Sequence, residues 1–392
     1  MSNVLFLGMP SHGHINPTLG LVHELIKHGE EVTYFASEEF REKIEATGAT
    51  FKSYAADLNI FKAQPSSDES PFLSIFRSTE TVIDPILSEN QRIPFDYMIH
   101  SAAFPFTRII SQILRIPAIS SLAVFAGLNK FFKKKQQVLQ SKQEAYAEVM
   151  KSIQKKYGVS LPDQPLQLLL NKSDLNLIYT SRYFIAPEDL AQCDETYRFV
   201  GPPEYDRKED LNFPFERLRN KLVIYISLGT VFGSFNTDLY PIFFQAFAHT
   251  DAVVVMAAHQ VDLSGFTIPA NFIIRDYVPQ NALLNYTDVA ITHAGMNSIS
   301  DLVSHMVPFV AIPLGADQPL LAQRAAALGA TISLEAQTLT AESLRAAVNR
   351  VKDDPSYLEN MQKINQSFKE AGGYPKAVEA IFELKAMKGI SG

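Results

Sequence analysis

The chain has 392 residues, 46% of them hydrophobic and 20% charged, with a formal net charge of -7. That length and composition describe a globular protein with room for two domains and exclude a disordered chain. The acidic balance argues against a general nucleic-acid or anionic-membrane binder, and the single cysteine, Cys193, excludes an internal disulfide and favours a cytoplasmic setting. No apolar run approaches the ~18 residues of a membrane-spanning helix, and no leader pattern is read at the N-terminus.

Residues 3–7 are a continuous apolar strand. Met9-Pro-Ser-His-Gly-His-Ile-Asn-Pro17 follows, then a helix to about His28. Asn16 is its expected N-cap, Pro17 its first helical residue and Gly29 its stop. Strands are expected at 31–36, 50–54, 96–99 and 116–122, with helices over 38–47, 70–89 and 105–114. This alternation is that of a doubly wound parallel sheet. A mostly helical stretch at 128–172 interrupts it, and short strands at 176–181 and 197–200 close the half. The polar, Gly-Pro-Pro-led run from Gly201 to Asn212 reads as a linker.

The same alternation then restarts. Strands are expected at 222–226, 252–256, 272–275, 289–292, 309–312 and 330–334. Helices include 239–249, 297–305, 319–328 and 341–351, with two terminal helices at 355–371 and 375–388. The polar signals of this half fall on loops after its strands. Ligands of open α/β sheets sit at those carboxyl ends.

Thr292-His-Ala-Gly-Met-Asn-Ser298 joins a strand to a helix through small residues. Helix N-terminal amides and the dipole make such a turn an anion site, here read as a diphosphate cradle with His293, Asn297 and Ser298 as side-chain donors. Gly295 belongs to the same turn. Ser227-Leu-Gly-Thr230 ends another strand and offers a second wall, Gly229 allowing close approach and Thr230 a hydroxyl. Tyr277-Val-Pro-Gln280 combines a ring, a backbone edge and an amide that together suit a planar base. Asp301, one turn into the 297–305 helix, either accepts from paired sugar hydroxyls or favours the helix dipole. Asp317-Gln318 either caps a helix or accepts from hexose hydroxyls. His14, between the first strand and the first helix, is placed as a neutral general base, with His12 as its neighbour and rival.

Several chemistries are absent from the pattern. There is no G-x-G-x-x-G in the first turn, no Walker A run, no G-x-S-x-G elbow and no spacing of metal ligands.

Gly13-His-Ile-Asn-Pro17, Phe199-Val-Gly-Pro202, Ser227-Leu-Gly-Thr230, Val278-Pro-Gln280, the run from His293 to Ser298 and Asp317-Gln318 follow one another in a familiar order and spacing. In this the chain resembles the family 1 UDP-sugar glycosyltransferases over nearly its whole length, and among them the bacterial macrolide and flavonoid type from bacilli. The resemblance implies a GT-B fold: two facing doubly wound parallel-sheet domains with an interdomain cleft. It implies an acceptor-binding domain over 1–203, a linker over 204–220, a UDP-sugar-binding domain over 221–374 and a helix over 375–392 crossing back to the first domain. It implies inverting, metal-independent transfer of a hexose, usually glucose, to a hydroxyl of a hydrophobic small molecule. UDP-sugar is then a substrate, and no cofactor, nucleic acid or membrane span is expected.

Carried over by position, His14 is the base, and Gln280 with the backbone of Val278 holds uracil. Tyr277 stands at the base-stacking position, where many relatives carry Trp. Asp301 takes the ribose-binding place usually held by Glu. His293, Asn297, Ser298 and Thr230 meet phosphate, with Ser227 and Gly295 beside them, and Asp317 and Gln318 hold the donor sugar. Two further departures stand out. Ser101 falls where the family usually has the Asp that orients and charge-stabilises the catalytic His, and His293-Ala-Gly295 replaces His-Gly-Gly. Ser101 also motivates one alternative, a non-catalytic nucleotide-sugar binder. A UDP-sugar epimerase on the same fold is the other. The first half is rich in Phe, and Phe61, Phe104, Phe106, Phe125 and Phe132 are candidates to line an acceptor pocket.

Overall fold

The structure is a computed structural model, and it describes residues 1–54, 56, 58, 71–123, 143–162, 167–168, 171–204, 212–230 and 233–390. The chain divides into two compact units. One comprises Met1–Tyr179, Ala191–Tyr205 and Ala371–Gly392, and the other Thr180–Leu190 and Asp206–Glu370.

The first unit is built on a parallel sheet of β1 (Asn3–Leu7), β2 (Glu31–Ala36), β3 (Thr50–Ser53), β4 (Tyr97–Ser101), β5 (Ala118–Leu122), β6 (Leu175–Ile178) and β7 (Tyr197–Phe199), in the order β3-β2-β1-β4-β5-β6-β7. Val4, Leu5, Phe6 and Leu7 are all buried. Both faces of β1 are covered by helices, so an unbroken apolar run is what a central parallel strand needs. The second unit repeats the scheme with β8 (Val223–Ser227), β9 (Val253–Ala257), β10 (Phe272–Arg275), β11 (Val289–Thr292), β12 (Phe309–Ala311) and β13 (Thr331–Ser333), in the order β10-β9-β8-β11-β12-β13. All pairings in both sheets are parallel.

In each sheet the chain winds outward from the first strand, then returns to pair the fourth strand on its other side. Leu7 pairs His100 in one unit and Ser227 pairs Thr292 in the other. The loops leaving these two adjacent strands diverge, and the gap between them is where such sheets bind ligands.

Three local readings of the sequence are revised. The first helix is His12–Lys27, capped by the extended Ser11. Asn16 and Pro17 therefore lie inside it, and His14 belongs to its first turn. Pro17 brings no N–H to the ladder, and Asn16 Oδ1 is buried without a partner. The fourth strand runs to Ser101, two residues beyond expectation, making His100 and Ser101 strand residues. The expected helix over 70–89 is two helices, Pro71–Arg77 and Thr79–Arg92, meeting at Ser78.

Thr180–Leu190 packs with the second unit. Arg324 donates to the carbonyls of Tyr183 and Phe184 at 2.7 and 2.9 Å, and Phe184 meets Phe368 edge-on. At the other end, Gly372 at φ 92° lies between the helix Pro355–Glu370 and the helix Gly373–Met387, whose first residue, Gly373, holds φ 65°. The last helix lies on the first helix, with Ala377, Val378 and Ile381 in one core with Leu21, Val22 and Leu25. A buried ion pair, Lys385 Nζ to Glu30 Oε1 at 2.6 Å, is completed by Tyr97 donating to Glu30 Oε2 at 2.8 Å. No helix among the described residues is long and apolar enough to cross a membrane.

The seat of the last helix depends on one glycine. Tyr374 donates to Pro17 O at 2.8 Å, and a Cβ on Gly20 would lie 2.1 Å from its ring. Gly20→Ala should cost about 1–3 kcal/mol through overpacking. It should lower Tm, while Gly13→Ala, with no atom closer than 3.8 Å, should not. Equal melting of Gly20→Ala and the parent would show that the contact costs nothing.

Candidate functional site

The first set of polar groups gathers where β1 and β4 diverge. His14 N–H donates to Ser11 O at 3.0 Å, which fixes the residue in the first helical turn. Its Nδ1 lies 3.0 Å from Ser101 Oγ, at the end of the adjacent strand. The half-buried imidazole is pushed down to a pKa of about 4 by desolvation, so it is neutral at pH 7. With Nδ1–H donating to Ser101 Oγ, Nε2 keeps its lone pair and can act as a base. His12, the rival, packs edge-on against Phe40 with ring centroids 5.1 Å apart.

Behind Ser101 stands a bracing layer that sequence reasoning did not find. His100 is fully buried, with Nδ1 3.0 Å from Ser101 O and Nε2 2.8 Å from Ser173 Oγ. A carbonyl only accepts, so Nδ1 carries the proton and Ser173 donates to Nε2. Burial lowers the His100 pKa to about 4 as well. Asn171 Nδ2 then bonds Ala102 O, Phe104 O and Leu168 O at 3.2, 2.9 and 2.7 Å, tying down the turn after β4. Ser173 and Asn171 lie some 70 positions from the β4 groups they hold, so no local pattern announces them.

The acceptor-pocket reading of Phe104 and Phe106 is overturned. Both rings are fully buried in the core. Phe104 stacks on Tyr54 at 5.5 Å and meets Phe106 edge-on at 5.5 Å, leaving no surface for a ligand. Phe61, Phe125 and Phe132 lie outside the described residues.

The second set gathers where β8 and β11 diverge. His293 N–H donates to Ser227 O at 3.2 Å, and Ala294 N–H to Thr292 Oγ1 at 3.2 Å. Gly295 caps the helix Met296–Ser304. The first bond within that helix runs from Ile299 N to Gly295 O at 3.0 Å. The preceding amides have no carbonyl within the helix, which is the anion-binding end. Asn297 and Ser298 belong to this turn, and the exposed Thr230 follows Gly229 on the facing loop.

The His293 ring is clamped between two glycines. A Cβ on Gly229 or Gly295 would come within 2.7 or 2.6 Å of Nε2, and Gly229 also holds φ 77°. Ala294 holds φ 62°, a left-handed conformation that costs a residue with a Cβ roughly 1 kcal/mol. Its place in the turn requires it. Desolvation pushes His293 down to about 4, and its Nδ1 is 3.4 Å from Ser227 O. In that orientation the neutral ring presents a lone pair at Nε2. Donation to phosphate from Nε2 therefore needs the imidazolium, which a bound diphosphate's charge favours.

Gln280, at the start of the short helix Gln280–Leu284, donates from Nε2 to Asp301 Oδ2 at 2.6 Å and accepts from Tyr225 at 2.9 Å. The amide assigned to uracil is thus used within the protein. Val278 is buried beside it, and Tyr277 is 40% exposed. The Tyr277 ring lies 4.6 Å from His259, whose Nδ1 is 3.0 Å from Asp276 Oδ2.

Asp317 precedes the helix Gln318–Ala327, but its side chain makes no capping bond. The capping reading therefore fails in geometry. Gln318 is buried, and its Oε1 accepts from Leu314 N and Gly315 N at 2.8 and 3.1 Å. Its expected role as an acceptor for hexose hydroxyls is corrected: that oxygen holds the loop, and only its amide hydrogens can turn to a ligand.

Desolvation raises the Asp317 pKa from 3.8 to about 6. The folded state therefore holds this proton more tightly than the unfolded chain, and stability is lost as pH rises through that window. Asp317→Asn should stabilise the protein by about 1–3 kcal/mol above pH 7 and by nothing at pH 4. Thermal melts at both pH values check this, and an equal gain at both would assign the effect to something other than ionisation.

Comparison with known proteins adds to this geometry. The family model described as UDP-glucoronosyl and UDP-glucosyl transferase matches residues 166–376. An uncharacterized UDP-glucosyltransferase of Bacillus subtilis, YdhE, is 35% identical over 402 residues, covering 99% of this chain and 100% of its own. The oleandomycin glycosyltransferase of Streptomyces antibioticus is 24% identical, covering 97% of this chain and 90% of its own. Among solved structures, the glycosyltransferase of kitacinnamycin superposes with a TM-score of 0.81 at 23% identity, covering 97% of this chain and 98% of its own. The fold is that of the GT-B glycosyltransferases. With the family model spanning more than half of the sequence and a full-length relative at this identity, the chain belongs to the UDP-glucuronosyl and UDP-glucosyl transferase family and is a glycosyltransferase.

Proposed function

We propose that the enzyme transfers a hexose, with glucose as the first donor to test, from UDP-sugar to a hydroxyl of a hydrophobic natural product such as a phenol, flavonoid or macrolide, with inversion. The observation that carries this reading is the pairing of His14 Nδ1 with Ser101 Oγ at 3.0 Å. It leaves Nε2 as a base in one unit, while the amide-ended turn at His293 suits a diphosphate in the other. The oleandomycin enzyme's name supports the acceptor class.

In this mechanism His14 Nε2 takes the acceptor's hydroxyl proton as the oxygen attacks the anomeric carbon. The new C–O bond forms on the face opposite the diphosphate. The old anomeric C–O bond breaks, and UDP leaves with the electron pair. Charge growing on the leaving group is met by the dipole and amides of the helix Met296–Ser304, with Thr230, Asn297 and Ser298 beside it. Tyr277 and the Val278 backbone hold the base, Asp301 the ribose, and Asp317 the sugar. UDP-sugar is a substrate, and we assign no cofactor.

Ser101 orients the imidazole but brings no charge to balance the imidazolium. Burial already holds His14 near pKa 4, so it is a weak base. It suits acceptors that surrender a proton readily, which places phenols ahead of aliphatic alcohols.

His14→Ala should lower turnover of a flavonol by about 100-fold or more while calorimetry finds UDP binding unchanged. Turnover within a few-fold of the parent would remove His14 from this role. Ser101→Asp should raise the His14 pKa, since a nearby carboxylate favours the imidazolium. The acidic limb of the pH-rate profile should move up, and rates on aliphatic alcohols should gain more than rates on phenols. An unmoved profile would show that position 101 does not govern the base.

A further inference from the structure

The Gln280 amide joins two side chains that come from different elements. Tyr225 lies in the middle of β8 and is buried. It donates to Gln280 Oε1 at 2.9 Å, and Gln280 Nε2 donates to Asp301 Oδ2 at 2.6 Å. Chemistry fixes the direction of this relay. A carboxylate accepts, so the amide nitrogen must face Asp301. The amide oxygen then faces Tyr225, whose hydroxyl has to donate. The carboxylate on the helix Met296–Ser304 is thereby referred to a central strand of the sheet, β8, which is paired on both sides.

We propose that Tyr225 is a positioning residue that aims Asp301 at the ribose diol, and that the relay sets a preference for ribonucleoside over deoxyribonucleoside diphosphates. The inference rests on the UDP-sugar reading above and adds the residue that gives that site its sugar discrimination. An aspartate side chain on a helix surface has several rotamers, and only some face a given hydroxyl. Fixing one oxygen selects among them in advance. A carboxylate has roughly four acceptor positions, so one held by an amide keeps capacity for hydroxyl donors. A site built to pair hydroxyls discriminates strongly against an analogue lacking one. In this scheme Tyr225 touches no substrate and acts through Gln280.

The test is calorimetry on the full chain with UDP, 2′-deoxy-UDP and 3′-deoxy-UDP. The unaltered protein should bind UDP at least about tenfold more tightly than one of the deoxy analogues. Tyr225→Phe should weaken UDP by about fivefold and leave that analogue unchanged, so the preference narrows. Gln280→Leu interrupts the relay at its second link and should narrow it likewise. The double variant should add little to either single one, because both break the same chain. Tyr225→Phe keeps the ring, and Gln280→Leu carries the same test should the phenylalanine variant fail to fold. Equal weakening of UDP and both analogues would mean packing alone and would overturn the proposal. So would undiminished UDP affinity in both variants, or an unaltered protein indifferent to the ribose hydroxyls. No UDP binding by the unaltered protein would overturn the UDP-sugar reading and this inference with it, an outcome distinct from the others.

Discussion

The constraint on which the rest depends is the reversal of winding in each parallel sheet. β1 is flanked by β2 and β4, and β8 by β9 and β11. The loops that leave each central pair must part, because the following helices cover opposite faces. His14 and Ser101 stand at one such parting, on strands paired at Leu7 and His100. Ser227 and His293 stand at the other, where Ser227 pairs Thr292. These polar residues are thus neighbours because two strands are neighbours, however distant they are in sequence.

Each parting is then made rigid in its own way. In the first unit the end of β4 that carries Ser101 is held through backbone carbonyls by the buried His100 and Asn171, with Ser173 bonding the far nitrogen of His100. In the second unit the means is close packing. Gly229 and Gly295 admit the His293 ring where any Cβ would collide, and Ala294 holds a left-handed turn. A turn of this kind brings backbone amides to a point, and its strain is tolerated where the surrounding fold over-determines it. Desolvation is the common electrostatic consequence. His14, His100 and His293 are all held neutral by burial, while Asp317 is held toward protonation.

Some of this was legible in the chain itself. Continuous apolar runs such as 3–7 and 289–292 mark strands covered on both faces, and their alternation with amphipathic helices marks double winding. The His14 and His293 turns were legible because small residues and polar side chains cluster within a few positions of a strand end. The partnership of Ser101 with His14 was placed from a resemblance, and the strand that carries Ser101 ran further than its apolar pattern suggested, since Ser101 is polar yet buried. The Phe-rich first half misled for the opposite reason. Aromatic composition is the same for a core and for a pocket, and only packing places Phe104 on Tyr54.

The sequence by itself determined the fold class, the repeated βα grammar and the two turns that bring histidines to strand ends, because these follow from periodicity and from local small-residue chemistry. Tertiary structure alone decided which polar atoms are already used. Gln280 is shared between Tyr225 and Asp301, and Gly20 seats Tyr374. Hydrogen bonds and close contacts between residues tens to hundreds of positions apart are set by the geometry of packed strands and helices, and no local pattern encodes them.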